Sequence, residues 1–407
     1  MKFRRSVLAF ASMGVFSATA VSVACGDDEG PLFVGDNLDG SFADVRTDTS
    51  PGDAAAVDSN VIQVDGDAAD ATPACTAQTD TTANPDHCGR CFHSCGGGIC
   101  SASVCQPFLI ATSPTPFGIA VYQDRVYWGR RANATDAGSI RSTKVDGTGL
   151  VLVPENSGAV NGVFVDAHGI VYADTAGGRI LQTPNLATPP TVRHAEGKIG
   201  ANDVVADGDQ ILWTDINAPG LFRASRNGTE PAVNLAPAPT SYYPFGIALR
   251  DEYVYWSNIG TQVAGPDAGA PDGTVLRTKK DGTQATPETV MSGLRYPIYL
   301  DIDSTDAYVA DFYADAVIRA PRAGGAAVRF AEVVRPYAVA LDADNIYVSE
   351  SGSSGFEARI LAMRKDGTGG VKVLATNLVM PTKIVLDDNF VYWANQAGGT
   401  VMKVAKP

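Results

Sequence analysis

The sequence predicts an all-β fold in which seven four-stranded units, called blades, surround an axis as a β-propeller. Three positions that recur together in every repeat support this prediction. A mostly aromatic position recurs every 39 to 53 residues, at Trp128, Tyr172, Trp213, Trp256, Val309, Val348 and Trp393. Ten residues before each of these, a second β-rich run begins, at Gly118, Gly162, Asp203, Gly246, Tyr299, Ala338 and Lys383. Two residues earlier again, five of seven residues are Pro, in the series Pro116, Val160, Ala201, Pro244, Pro297, Pro336 and Pro381. Such repeats indicate units that pack on their neighbours.

Each repeat is expected to supply four antiparallel strands. The first follows the Pro, which fixes an extended backbone where no ladder N–H is needed. The second, typified by residues 254–258, holds the aromatic position and is rich in residues that favour strands. A tight Asp-Gly or Asn-Gly turn, as at Asp281-Gly282, predicts a two-residue hairpin with positive φ between strands three and four.

The two ends of the repeat region are expected to share one blade. The last repeat stops at Pro407 with no room for a fourth strand, whereas the apolar run of residues 108–111 precedes the first repeat. We predict that this run supplies the missing strand, so that the ring closes without an open sheet edge.

Residues 1–24 have the pattern of a secretory signal peptide, with basic residues followed by an apolar run. The run ends at residues 22–26, which resemble the lipobox of bacterial lipoproteins. This resemblance implies lipidation of Cys25, and Gly26 implies the outer membrane. The alternative is cleavage near Ala20 and a soluble secreted form. Removing Cys25 from the seven cysteines leaves six, a number that can pair completely.

The next two segments are expected to connect the anchor to the propeller. Residues 25–74 hold twelve acidic residues against the single basic residue Arg46, which predicts a disordered, self-repelling linker. Residues 75–107 contain six cysteines, which in an exported chain predict a mini-domain stapled by disulfides, with zinc as the alternative: Cys75, Cys88, Cys91, Cys95, Cys100 and Cys105. Fifteen pairings are possible. Residues 87–107 also resemble a Cys-rich spacer of exported myxobacterial proteins.

The repeat itself resembles a known family at specific residues. Residues 212–215 read Leu-Trp-Thr-Asp, and Tyr-Trp occurs at residues 127–128, 255–256 and 392–393. This run resembles the YWTD repeat of LDL-receptor-like propellers. The resemblance spans residues 113–407 and implies a binding propeller. It departs from the family in two respects, because that family has six blades and two repeats here carry Val309 and Val348 in place of Trp.

The recurring aromatic residues are interpreted as core packing between blades rather than as a stacking platform for a ligand. Two residues after each of them lies a series rich in acids: Arg130, Asp174, Asp215, Asn258, Asp311, Glu350 and Asn395. The YWTD resemblance implies that such acids bond to backbone between blades; a cation site is the alternative. We expect no bound metal and no cofactor.

The chemistry of the chain favours binding over catalysis. A net charge of −14 disfavours nucleic acid and anionic membranes as partners. The four histidines fit no catalytic motif, and the sequence has no nucleophile elbow or phosphate loop. The nearest enzymatic resemblance is to seven-bladed lyases of the virginiamycin B type, which use histidines on the central face that this chain lacks at matching places.

Function is therefore expected on the face formed by the segments that lead into the first strands and by the connections between strands two and three. Aromatic and Arg residues cluster there, and the candidates for ligand binding are Phe117, Tyr242, Tyr243, Phe245, Arg295, Arg335 and Tyr337. The alternative is that these residues only plug the central channel. We expect an envelope lipoprotein, monomeric, that binds a protein, peptide or glycan. A hydrolase or lyase that uses carboxylates on this face, and a purely structural envelope protein, are the alternatives.

Overall fold

A computed structural model describes residues 79–131, 138–153, 158–195, 200–237, 243–260, 271–353 and 357–407 of the chain. These residues form seven four-stranded antiparallel sheets and one two-stranded sheet. The predicted seven-bladed, all-β propeller is confirmed. The described part of the chain contains one short 3-10 helix, Phe312–Ala314, and no helix there is long and apolar enough to cross a bilayer.

The cysteine-rich mini-domain and the first four blades follow one another along the chain. The mini-domain contains β1 (Cys100–Ser101) and β2 (Val104–Cys105), and β3 (Phe108–Thr112) follows it. Blade 1 contains β4 (Pro116–Tyr122), β5 (Arg125–Arg130), β6 (Ser139–Lys144) and β7 (Val151–Leu152). Blade 2 contains β8 (Val160–Asp166), β9 (Gly169–Asp174), β10 (Arg179–Thr183) and β11 (Thr191–Ala195). Blade 3 contains β12 (Ala201–Asp207), β13 (Gln210–Asp215), β14 (Gly220–Ser225) and β15 (Val233–Asn234). Blade 4 contains β16 (Pro244–Arg250), β17 (Tyr253–Asn258), β18 (Gly273–Lys279) and β19 (Glu288–Leu294).

The last three blades complete the ring. Blade 5 contains β20 (Pro297–Ile302), β21 (Asp306–Asp311), β22 (Ala316–Pro321) and β23 (Val328–Glu332). Blade 6 contains β24 (Pro336–Leu341), β25 (Asn345–Glu350), β26 (Ala358–Arg364) and β27 (Val371–Leu378). Blade 7 contains β28 (Pro381–Leu386), β29 (Phe390–Asn395) and β30 (Thr400–Ala405), with β3 as its outermost strand.

The ring closes where the first strand of the propeller pairs with the last. Phe108 lies opposite Lys403 and Thr112 lies opposite Thr400, so β3 runs antiparallel to β30. The innermost strands of neighbouring blades contact each other around the ring, including β28 of blade 7 with β4 of blade 1. The predicted closure between the two ends of the propeller is confirmed.

The recurring aromatic residues form the interfaces between blades. Trp128, Trp213, Trp256 and Trp393 are at most 1% exposed. Because side chains alternate along a strand, the residue next to each one points to the other face of the blade. Accordingly, Trp128 packs in one hydrophobic cluster and Tyr127 in another, with Tyr172 of blade 2. The interpretation of this position as core packing is confirmed.

The Asp-Gly turns differ in one detail from the expected hairpins. Gly147, Gly228, Gly282 and Gly367 have φ between 70° and 84°, whereas the residues before them do not have positive φ. A two-residue turn of the expected kind needs positive φ at both central residues. The preceding side chain instead accepts a hydrogen bond from the second backbone N–H that follows, as Asp281 does from Thr283 at 2.9 Å.

The mini-domain contains disulfides, as predicted. Cys88 pairs with Cys100 and Cys95 pairs with Cys105. Cys91 is also disulfide-bonded. Cys75, together with the predicted signal peptide, lipidation site and acidic linker, lies outside the described residues.

A substitution in β3 tests the closure. Ile110 is 4% exposed and packs in the largest hydrophobic cluster, whereas Leu109, its neighbour in the same strand, is 48% exposed. We expect Ile110→Asp to lower the free energy of unfolding by more than about 3 kcal/mol, because it buries an unpaired charge. Thermal and denaturant unfolding measure this change, and Leu109→Asp is the control. Equal melting temperatures for the two variants, or an unchanged melt after deletion of residues 108–111, would contradict the closure.

Candidate binding face

The two faces of the disc are built differently. We call the face with the segments that lead into the innermost strands the loop face, and the opposite one, with the tight turns, the hairpin face. In every blade the loop face is tied together by one backbone hydrogen bond, 2.8 to 3.2 Å long, from the third residue after the aromatic position to the carbonyl before the innermost strand. The pairs are Arg131–Thr115, Thr175–Ala159, Ile216–Gly200, Ile259–Tyr243, Phe312–Tyr296, Ser351–Arg335 and Gln396–Met380.

Three of the predicted ligand-binding residues lie inside the channel rather than on the loop face. Phe117, Phe245 and Tyr337 are at most 3% exposed. The Phe117 and Tyr337 rings, from blades 1 and 6, are 6.3 Å apart, and Tyr337 lies 5.7 Å from Tyr299 of blade 5. Phe245 of blade 4 lies 5.6 Å from Tyr299. Rings from four blades therefore meet at the axis, which supports the channel-plug alternative for these three residues.

A buried lysine and a buried aspartate share the channel with these rings. Lys383 and Asp203 are fully buried on innermost strands of opposite blades, and the Lys383 ammonium lies 5.8 Å from the centre of the Tyr299 ring. Burial lowers the pKa of Lys383 from 10.5 to about 7, and the Asp203 charge opposes this shift. The Asp203 carboxylate accepts hydrogen bonds from the backbone N–H groups of Val204 at 2.7 Å and Ile247 at 3.0 Å.

The other candidates form the rim of the loop face. Tyr243 is 40% exposed, Arg295 is exposed and Arg335 is half-buried. The Arg335 guanidinium lies 5.9 Å from the centre of the buried Phe312 ring, which fixes a cation beside the aromatic plug. Arg131, which sequence reasoning missed, lies 5.3 Å from the Phe117 ring in the same way. Tyr242 lies outside the described residues.

Backbone strain positions part of this rim. Tyr243 and Arg335 have φ of 50° and 49°, although each is a non-glycine residue that precedes a Pro. Left-handed φ at such a residue costs energy and persists only where the surroundings enforce it. Thr115 and Met380, which precede the Pro of blades 1 and 7, have φ of 46° and 56°, so this conformation recurs in the repeat.

The acids after the aromatic positions support the loop face from below. Asp311 is buried and accepts hydrogen bonds from the backbone N–H groups of Arg295 at 3.0 Å and Tyr296 at 2.7 Å. Burial raises the pKa of Asp311, while these two hydrogen bonds lower it. Glu350 accepts from the N–H of Val334 at 2.9 Å. Asp311 and Glu350 thus bond to the segment that leads into their own blade, as Asp174 does to Gly158, whereas Asp215 accepts hydrogen bonds from Asn217 and Ala218 just after its strand. These bonds lie within a blade, unlike the bonds between blades that the YWTD resemblance implied.

In the described part of the chain, no cluster of carboxylates brings its oxygen atoms close enough together for a shared metal ion. The one cluster there with ligand atoms close enough for a shared ion consists of Cys88, Cys95 and Cys105. All three are in disulfides, which removes the thiolates that a metal would need.

A contact between blades was also missed. Thr214, Ser257 and Ser349 each follow the aromatic position and donate a hydrogen bond of 2.5 to 2.7 Å to a carbonyl in the innermost strand of the next blade. Each also accepts the N–H of its own innermost strand. The sequence signal that could have revealed this contact is a small side chain at this position in every repeat: Gly129, Ala173, Thr214, Ser257, Ala310, Ser349 and Ala394.

The hairpin face is held by ion pairs between successive blades. A cation at the end of the third strand reaches an acid in the first turn of the preceding blade in five cases: Arg226–Asp166, Lys280–Asp207, Arg322–Asp251, Lys365–Asp303 and Lys406–Asp342. Lys365 and Asp303 are 2.9 Å apart. These charges connect blades, so this face offers little that suggests a ligand site.

Comparison with known proteins adds similarity of fold alone. Protein-family models and curated proteins give no match to the sequence. Among solved structures, the virginiamycin B lyase of Staphylococcus aureus is similar with a TM-score of 0.59 and 14% identity, over 74% of this chain and 99% of that one. A streptogramin B lyase gives 0.57 and 16%, over 73% and 96%. A nidogen/laminin complex gives 0.46 and 16%, over 63% and 91%.

A catalytically inactive virginiamycin B lyase, solved with quinupristin, has one histidine replaced by alanine. The histidines of this chain lie elsewhere than in its innermost strands: His87 and His93 in the mini-domain, His168 in a hairpin turn and His194 in β11. The channel positions of this propeller therefore hold no histidine.

The buried lysine predicts a pH-dependent stability. Because the pKa of Lys383 in the folded protein is about 7 and its ordinary value is 10.5, the unfolded chain binds more protons between these pH values. The free energy of unfolding should therefore rise with pH from 7 to 10.5, by up to about 1.4 kcal/mol per unit. We expect Lys383→Met to reduce this rise and to stabilise the protein at pH 7; the part that remains includes Lys403, whose pKa burial also lowers.

Denaturant unfolding between pH 7 and 10 measures this slope for the wild type, for Lys383→Met and for Lys372→Met, a control at an exposed lysine. The Lys372 control should keep the wild-type slope. If Lys383→Met kept it too, a charge penalty in the channel would be refuted.

Proposed function

We propose that this protein is an exported lipoprotein whose propeller binds a partner protein, peptide or glycan through the rim of its loop face. The observation that carries the proposal is the contrast between a filled channel and an exposed rim. Phe117, Tyr299 and Tyr337 meet at the axis, whereas Tyr243 and Arg295 are exposed above them. A rigid scaffold that displays aromatic and Arg side chains on loops suits recognition.

The position of the mini-domain is consistent with this presentation. It contacts Lys406 and Pro407, at the hairpin-face end of blade 7. The mini-domain therefore lies on the side of the propeller opposite the loop face. A mini-domain on the hairpin face leaves the loop face open to a partner.

A propeller hydrolase or lyase remains the alternative suggested by the similar folds. It requires two convergent acid–base groups at the mouth of the channel. Among the described residues at the axis, Asp203 is the carboxylate present, and two backbone N–H groups already bond to it. The proposal also includes a relation between the repeats and the YWTD family. The Tyr-Trp runs alone support this relation.

The binding role is tested by replacing the exposed rim residues together. In the mature chain, Tyr243→Ala, Arg295→Ala and Arg335→Ala should weaken binding at least about tenfold, as expected for aromatic and Arg contacts at an interface. Direct titration against purified envelope glycans and against cross-linked, identified envelope proteins measures the affinity. Unlike Phe245 and Tyr337, these side chains can be removed without opening the core.

The matched control carries three substitutions of exposed residues on the hairpin face, His168→Ala, Arg364→Ala and Lys372→Ala. It should bind as the wild type does. Equal loss of affinity in both triple variants, or retention in both, would refute a binding site on the loop face.

Lipidation is tested at Cys25. Mass spectrometry of the mature N-terminus should show a lipid-modified Cys25 in the outer-membrane fraction. Cys25→Ser should move the protein to the soluble fraction, since the thiol carries the acyl group. An unmodified wild-type N-terminus near residue 21 would instead establish the secreted form.

A further inference from the structure

The cysteine-rich mini-domain rests on the place where the ring closes. Its last cysteine, Cys105, is separated from the closing strand β3 by two residues. The mini-domain also contacts the other end of the propeller, at Ala405 and Lys406. The His93 ring lies with Nδ1 2.6 Å from the Cys88 carbonyl and Nε2 2.8 Å from the Lys406 carbonyl. A neutral ring donates to one of these carbonyls, and an imidazolium donates to both.

The packing at this contact is close. Four half-cystines share a hydrophobic cluster with Ala405 of β30, and Phe390 at the start of β29 packs against it. A Cβ at Gly96 would lie 2.2 Å from the Phe390 ring, so glycine is needed for the approach. The Arg90 guanidinium lies 3.5 Å from the Pro407 carbonyl oxygen.

Lys403 joins the same surface from the propeller side. This residue of β30 is 2% exposed, and its ammonium lies 4.5 Å from the centre of the Phe390 ring and 5.3 Å from that of Phe108 in β3. A Cβ at Gly97 would lie 3.4 Å from the Phe108 ring, so the mini-domain backbone packs directly against this ring. The mini-domain, β3, β29 and β30 therefore form one continuous contact.

We propose that the mini-domain is a disulfide-locked clamp whose partner is the chain's own closing blade, so that closure of the propeller depends on oxidation of the mini-domain. We call the pairing of β3 with β30 the seam, and the clamp holds both of these strands. It is joined covalently to the start of β3, and it covers the end of β30 through His93 and the cystine cluster. This inference is independent of the binding role of the loop face.

The chain provides a specific way to open the clamp. Residues 108–407 contain no cysteine, so a dithiol reductant acts on the disulfides of the mini-domain without touching the blades. Each disulfide accepts two electrons and two protons and becomes two thiols, while the dithiol is oxidised to its own disulfide. A mini-domain of this size has too little core to persist without its disulfides.

Hydrogen exchange followed by mass spectrometry tests the clamp on the full mature chain. After reduction, amides of residues 108–112 and 400–405 should exchange at least about tenfold faster, while those of residues 253–258 in blade 4 should keep their rates. His93→Ala, with all disulfides intact, should also accelerate exchange at the seam, by a smaller factor. His168→Ala, at an exposed turn of the hairpin face, is the control and should change nothing.

Two results would overturn the proposal. Unchanged exchange at the seam after reduction would show that the mini-domain is only a spacer. Equal acceleration in all blades would show that it has no particular relation to the seam. The His93 variant distinguishes docking of the clamp from its folding, because its disulfides still form.

Discussion

The close approach of seven innermost strands around one axis is the constraint on which the structure depends. A Cβ at Gly118 would lie 1.7 Å from the Asn161 carbonyl oxygen of the next blade, so the backbones themselves are in contact there. Buried carbonyls at such a contact need donors. Thr214, Ser257 and Ser349 supply them across three interfaces, and small residues at the same position elsewhere allow the strands to meet.

This tight ring determines where chemistry is possible. Large side chains at a few channel positions, such as Tyr299 and Lys383, occupy the space that glycines leave at others, and the axis is filled. Small ligands usually require concave sites, whereas at the axis the rings of four blades contact one another. Tyr243 and Arg335, two residues of the proposed binding rim, lie just before the innermost strands that carry this plug.

Much of the fold could be predicted because it is periodic. The aromatic position, the Pro before each first strand and the missing last strand each follow from local sequence. The presence of disulfides follows from six cysteines behind a predicted export signal, whereas their pairing does not. The channel could not be predicted, because equivalent positions hold different residues, such as Phe117 and Asn161, and their side chains meet across the ring. Tyr243, which is exposed, lies just before β16, whereas Phe245, which is buried, lies within it, and a cluster of aromatic residues does not reveal this boundary.

Hydroxyl-radical footprinting of the tyrosines tests most directly whether the channel is filled and the rim exposed. Tyr243 is 40% exposed, whereas Tyr299 and Tyr337 are at most 3% exposed. We predict rapid modification of Tyr243 and protection of Tyr299 and Tyr337 in the folded protein. Modification of Tyr299 and Tyr337 as fast as Tyr243 would reveal an open channel and contradict this prediction.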